Sequence, residues 1–118
     1  MSNFKRVIIP GGTFFFTLVT YQRIPVFADE HAVGVLGDVF RKIRNERPFW
    51  IDAIVIMPDH LHCIMRLPRD DSDYSGRWRE IKKRTSRELN RGLTAQAQHK
   101  IWQRRFWEHT IRDDRDWR

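Results

Sequence analysis

Two histidines one residue apart, directly after a Pro-Asp turn, constrain this chain more than any other feature. They lie in Asp52 to Leu67, DAIVIMPDHLHCIMRL, where two apolar runs flank Pro58-Asp59. Pro presets φ for a turn and Asp bonds its own backbone, so the stretch reads as a β-hairpin. Side chains alternate along a strand, which places His60, His62, Ile64 and Arg66 on one face and Leu61, Cys63, Met65 and Leu67 on the other. The second face is wholly apolar and belongs against a core. The first carries two imidazoles with Cα atoms roughly 6.5 Å apart. Both can reach one metal ion, at about 2.0–2.1 Å per nitrogen if the ion is zinc. A histidine pair in a strand is also a common structural feature, so spacing alone does not separate ligand from packing.

A chain of 118 residues supports one domain with a real core and is too short for two. Its charge is uneven. Residues 1–70 carry nine Lys/Arg against seven Asp/Glu, and residues 71–118 carry thirteen against eight. Most of the net +7 therefore sits in the second half, which points to a polyanion, nucleic acid being the commonest. A solvated surface with surplus Lys and Arg is the plainer explanation. Cys63 is the single cysteine, so no internal disulfide forms and a reducing cytosol is the default. It points away from the histidines and reads as a small core residue. Lys5-Arg6 precedes an apolar run, but Pro10-Gly11-Gly12 interrupts it with no cleavage site after. The apolar stretches are far short of a membrane span. A cytoplasmic, non-membrane protein is expected.

The remaining elements follow from periodicity. Thr13 to Tyr21, TFFFTLVTY, is apolar on nearly both faces, the mark of a central strand. Asp29 caps a helix to about Asn45 with Ala32, Leu36, Val39, Phe40 and Ile43 as its stripe, and Pro48 ends it. Trp50 to Met57 and Leu61 to Leu67 are the hairpin strands. A second helix is predicted from about Tyr74 to Arg91, burying Trp78, Ile81, Thr85 and Leu89, with Arg77, Lys83, Arg84, Arg87 and Arg91 opposite. Lys100 to Ile111 supplies a last strand or a short hairpin, and the final IRDDRDWR resembles the start of a helix capped by Asp113 or Asp114. Strand, helix, strand, strand, helix, strand is the α+β, ferredoxin-like (RRM-like) order, an antiparallel sheet with both helices on one face. The helix-free face would carry His60 and His62.

Three stretches together carry a family resemblance: RVIIPGGTFFFTLVTYQR (6–23), IVIMPDHLHCIMRLP (54–68) and IWQRRFWEHTIRDDRDW (101–117). The chain resembles the single-tyrosine transposases of the HUH endonuclease superfamily, in particular their REP-associated branch, over nearly its whole length. The resemblance implies a divalent metal, Mg or Mn, on His60 and His62, bound against a phosphate of single-stranded or hairpin DNA. Imidazole suits manganese, zinc or nickel better than magnesium. It also implies a tyrosine nucleophile that becomes linked to the 5′ side of the break.

In the family that tyrosine follows the Trp-Gln block on a helix, in an Asn-Pro-Val context. This chain ends at Arg118 before such a motif, and Tyr21 and Tyr74 read as ordinary packing or surface residues. Residues 1–118 are therefore expected to be a single transposase domain lacking the nucleophile helix and any third metal ligand on it, a truncated chain or a degraded gene product. Binding without efficient cleavage follows. A monomer and a homodimer are equally compatible.

Candidate phosphate contacts are Lys5, Arg6, Arg77, Arg84, Arg87 and Arg91. Trp102 and Phe106, flanking Arg104-Arg105, are candidate stacking surfaces for unpaired bases; for these aromatics core packing is the simpler reading. Two other classes compete with a strand-transfer domain. One is a non-catalytic nucleic-acid-binding module of the same topology, which would stack bases on the central strands. The other is a small metal-dependent hydrolase unrelated to DNA, which the basic second half disfavours.

Overall fold

In the computed structural model the described residues are 12–104, together with the backbone of 107–111. Four strands and two helices follow one another: β1 (Thr13–Val19), α1 (Glu30–Glu46), β2 (Trp50–Met57), β3 (His60–Arg66), α2 (Tyr74–Leu89) and β4 (Trp107–Ile111). The sheet order is β2-β3-β1-β4, and every pairing is antiparallel. This is the expected α+β, ferredoxin-like arrangement, with β1 and β3 as the central pair. Two single 3-10 turns, Tyr21–Arg23 and Val26–Ala28, connect β1 to α1. No helix among the described residues is long and apolar enough to cross a membrane.

Alternation along β1 decides which side is buried. Phe14, Phe16 and Leu18 are buried, while Phe15, Thr17 and Val19 are half-buried. The register pairs those core residues with Met65, Cys63 and Leu61 of β3, which are equally buried. Leu36, Val39 and Ile43 of α1 and Trp78 and Ile81 of α2 join the same cluster. Both helices therefore cover one face of the sheet. Trp78 meets Phe16 edge-on, 5.3 Å between ring centroids, and Phe40 at 5.9 Å. Burying each such side chain stabilises the fold by about 1.5–3 kcal/mol.

The caps follow the sequence. The Asp29 carboxylate accepts from His31 N–H at α1, and Asp73 accepts from Gly76 N–H at α2, each satisfying an orphan donor of the first turn. Helix α2 stops at Leu89 rather than Arg91. Its last turn hands over to Asn90, whose N–H and side-chain amide both donate to the Ser86 carbonyl.

The helix beginning at Asp113 or Asp114 falls outside the described residues, as do Lys5, Arg6, Arg105 and Phe106.

A histidine pair on the open face of the sheet

A two-residue turn, Pro58-Asp59, joins β2 to β3 and delivers His60 and His62 to the side that neither helix covers. The turn is tied down from the far end of β1. Thr20 N–H donates to the Asp59 carbonyl (3.0 Å) and Phe27 N–H to the Pro58 carbonyl (2.9 Å). The Thr20 hydroxyl, fully buried, reaches the Ile24 carbonyl at 2.7 Å. Residues Gln22 and Arg23 between these anchors adopt positive φ, 52° and 58°, a conformation that non-glycine residues take up only when surrounding structure enforces it.

The register sets His60 opposite Val19 and His62 opposite Thr17. The two rings lie 5.0 Å apart, centroid to centroid, and nearly perpendicular at 75°. Each uses Nδ1 for a bond within the protein: His60 with Asp59 Oδ1 at 2.8 Å, and His62 with Thr17 Oγ1 at 2.9 Å. Phe15 stacks on His62 at 5.6 Å and 15°. Among the described residues nothing bonds Nε2 of either ring, the arrangement found when histidines bind metals through one nitrogen and are oriented through the other. Among the described residues no group of three or more His, Cys, Asp or Glu could hold a metal ion. What the pair offers chemically is two imidazole nitrogens side by side, which a divalent cation could use only with its other positions filled by oxygen ligands such as phosphate.

Asp59 also faces the Arg23 guanidinium, Nη1 to Oδ2 at 3.6 Å. The bond to His60 above all, with Arg23 beside it, holds the Asp59 carboxyl below its ordinary range, against a smaller opposing effect of burial. Arg23 is 62% exposed and brings a cation to the rim of the histidine pair. On the same side β2 leaves Trp50, Val55 and Met57 exposed, with the Arg66 guanidinium 5.1 Å over the Trp50 ring. Arg66 is also paired with Asp52.

Two of the expected DNA contacts are corrected. Arg77 is 1% exposed; it binds Asp71 through both terminal nitrogens and donates to the carbonyls of Arg47, Pro48 and Asp73. It knits the start of α2 to the end of α1 and has no free edge for a phosphate. Trp102 is 5% exposed and packs on Phe27 at 5.4 Å, so it offers no surface to a base.

Arg84 is bidentate to Glu46 and also meets Glu80. These partners raise its already high pKa, the Glu46 bond most of all. Arg91 pairs with Glu88, whereas Arg87 and Arg104 are exposed. Helix α2 packs on the face opposite the histidines, so its cations and the imidazole pair do not converge on one surface. An open groove between α2 and residues 98–102 is instead lined by Lys82, Lys83, Asn90 and Lys100.

Neither tyrosine sits free beside the pair. Tyr74, the first residue of α2, is buried against Phe14 and Phe16. Tyr21 has Lys100 Nζ over its ring at 5.2 Å and Gln22 at its hydroxyl. Cys63 is in the core, and burial pushes its thiol up to about 12.

Sequence reasoning missed Asp59, Thr17, Phe15 and Arg23 as parts of the site. Asp59 was legible only as a turn former. The other three join it through the register between β1 and β3 and through the strained turn after β1, neither of which a single sequence displays.

Comparison with known proteins gives a consistent picture. The family described as "Transposase IS200 like" matches residues 12–114. A REP-associated tyrosine transposase of Escherichia coli K12 is 42% identical over 100% of this chain and 67% of its own. A Haemophilus influenzae protein of the same REP-associated description is 36% identical over 98% of this chain and 69% of its own. A solved REP-associated tyrosine transposase bound to a REP hairpin superposes with a TM-score of 0.84 at 40% identity, covering 99% of this chain and 66% of that one. A Deinococcus radiodurans transposase structure shares the fold at a TM-score of 0.69 and 17% identity, over 98% of this chain and 88% of its own. The chain spans about two thirds of the length of its REP-associated relatives.

Proposed function

The chain belongs to the IS200-like transposase family, in its REP-associated branch, and from that premise we propose that it binds hairpin DNA with a single-stranded flank and holds a divalent cation against a phosphate of that flank. His60 and His62 would hold the cation through Nε2, with manganese or magnesium as the working ion. When bound, the cation would polarise a phosphate oxygen and offset the charge that develops on it. The protein's own residues orient the two rings, supply the Arg23 cation at the rim and present an uncovered sheet face to the strand. A relative of this chain was solved bound to a REP hairpin, which supports the choice of DNA. Cytoplasmic location accords with such a substrate.

The observation that carries the reading is the pair of imidazoles on the sheet face that neither α1 nor α2 covers, with both Nδ1 atoms already engaged. The full reaction of the family, strand cleavage and transfer through a phosphotyrosine, also needs a nucleophile. Tyr74 is buried and Tyr21 is engaged elsewhere, so the 118 residues by themselves are expected to bind DNA without forming a covalent adduct.

Calorimetric titration of manganese into the wild type and a His60→Ala/His62→Ala variant tests the metal, and equal heats would refute it. Gel analysis for a covalent protein–DNA product on a hairpin with a single-stranded flank tests the nucleophile assignment. A non-catalytic DNA-binding module is the second reading, favoured by the two-ligand count among the described residues. It predicts unchanged hairpin affinity with and without metal.

A further inference from the structure

The two histidines are oriented by chemically different partners. An ionised carboxylate only accepts hydrogen bonds, whereas a hydroxyl both donates and accepts. Asp59 Oδ1 at 2.8 Å from His60 Nδ1 therefore requires a proton on that nitrogen, and a neutral ring then carries its lone pair on Nε2. Thr17 Oγ1 at 2.9 Å from His62 Nδ1 imposes no such choice. Its hydroxyl serves either tautomer, while the Phe15 ring against His62 fixes the plane of the imidazole. Asp59 is itself held from its other side by Arg23, through Oδ2.

We infer that Asp59 is a positioning residue that locks His60 in the Nδ1–H tautomer, ready to ligate through Nε2, and that Thr17 positions His62 without fixing its tautomer, so that His62 is set only when a cation binds. The inference rests on the metal reading above and adds an order to it: one ligand is preorganised and the other adapts. His60 is the ring the free protein already presents, and the asymmetry comes from one carboxylate in the turn before β3 and one hydroxyl on the neighbouring β1.

The test uses Asp59→Asn, Thr17→Val and Thr17→Ser. The backbone carbonyl of Asp59, not its side chain, anchors the turn to Thr20, and Asn also favours turns, so Asp59→Asn keeps the hairpin. Two-bond proton–nitrogen spectra of the metal-free protein read each ring's tautomer directly. The wild type is expected to show a single Nδ1–H form for His60 and a mixture for His62. Asp59→Asn, whose amide presents either an oxygen or a nitrogen, should turn His60 into a mixture as well. It should also weaken manganese binding about 10–100-fold, the usual effect of losing an orienting partner.

Thr17→Val should weaken binding while leaving the His60 signals unmoved, and Thr17→Ser should restore it. A His60 mixture already present in the wild type, or Asp59→Asn binding manganese as tightly as the wild type, would overturn the inference. Wild type that takes up no manganese would instead remove the metal reading, with the nitrogen spectra still deciding the tautomer.

Discussion

The Arg77 guanidinium, 1% exposed, grips the Asp71 carboxylate with two bonds, Nη1 to Oδ1 at 3.1 Å and Nη2 to Oδ2 at 2.8 Å. The same fork donates to three backbone carbonyls where α1 ends and α2 begins. Only a planar group with several fixed donors satisfies that geometry, so lysine is no substitute. Removing it strands a carboxylate and three carbonyls. Arg77→Met should therefore cost about 1–3 kcal/mol in urea denaturation, the range for buried acceptors left without a donor, because Asp71 is 35% exposed and keeps its hydration. DNA affinity of the fraction still folded should stay unchanged.

The same pair sets an acid limit. The Arg77 bonds hold the Asp71 carboxyl down to about 2, against about 3.9 in an unfolded chain. A carboxyl whose folded value is depressed contributes stability that is complete above the unfolded value and is lost as pH falls through the folded one. Between about pH 4 and pH 2 the urea midpoint should drop. Asp71→Asn should start lower at neutral pH and fall less across that window. A parallel decline in both proteins would contradict the assignment.

Neighbouring phenylalanines in β1 should behave differently. Phe16 is fully buried under Trp78 and Tyr74, and Phe16→Ala should cost about 3–5 kcal/mol. Phe15 lies on the other face against His62. Phe15→Ala should cost distinctly less stability yet shift the His62 resonances, a contrast that chemical denaturation and imidazole NMR would measure side by side.

How much of this was legible in the sequence depended on the range of the interaction. Alternation and turn chemistry are local, so the Met57-to-His60 hairpin, the buried face of Leu61, Cys63 and Met65, and the order of elements were readable. Both helix caps obey local rules as well, at Asp29 visibly and at Asp73 less so. Arg77 was misplaced because the helical stripe is judged within the helix, while what claims Arg77 is Asp71 in the preceding loop and the carbonyls of Arg47 and Pro48 at the end of α1. Trp102 is buried, as the simpler core-packing reading had it, but its partner Phe27 lies 75 residues earlier and was not legible. Thr17 and Phe15 entered the site only through strand register, which no single strand encodes.

Cys63 gives a direct reading of core opening. Its thiol is 1% exposed and pushed up to about 12, chiefly by burial, so neither access nor thiolate is available in the native protein. Native protein should be inert to a thiol-specific disulfide reagent over the time in which denatured protein reacts completely. Phe16→Ala, by loosening the same cluster, should raise the native reaction rate.

Electrostatic contributions to DNA binding should separate by pairing rather than by sequence. Arg84 is clamped by Glu46 and Glu80, and it lies on a helix that packs on the side of the sheet away from the histidines. A phosphate would have to displace two carboxylates to claim it. Arg23 faces one carboxylate at 3.6 Å, longer than a hydrogen bond, and is 62% exposed beside the histidine pair. Each cation that neutralises a phosphate contributes about 0.7 to the salt slope on a single strand and about 0.9 on a duplex. Arg23→Ala should therefore reduce the slope of log affinity against log salt by about 0.7 on a hairpin with a single-stranded flank, and by nothing measurable on the stem alone. Arg84→Ala should leave both slopes as they are. Equal losses for the two variants would mean that the strand does not run along the face that carries His60 and His62.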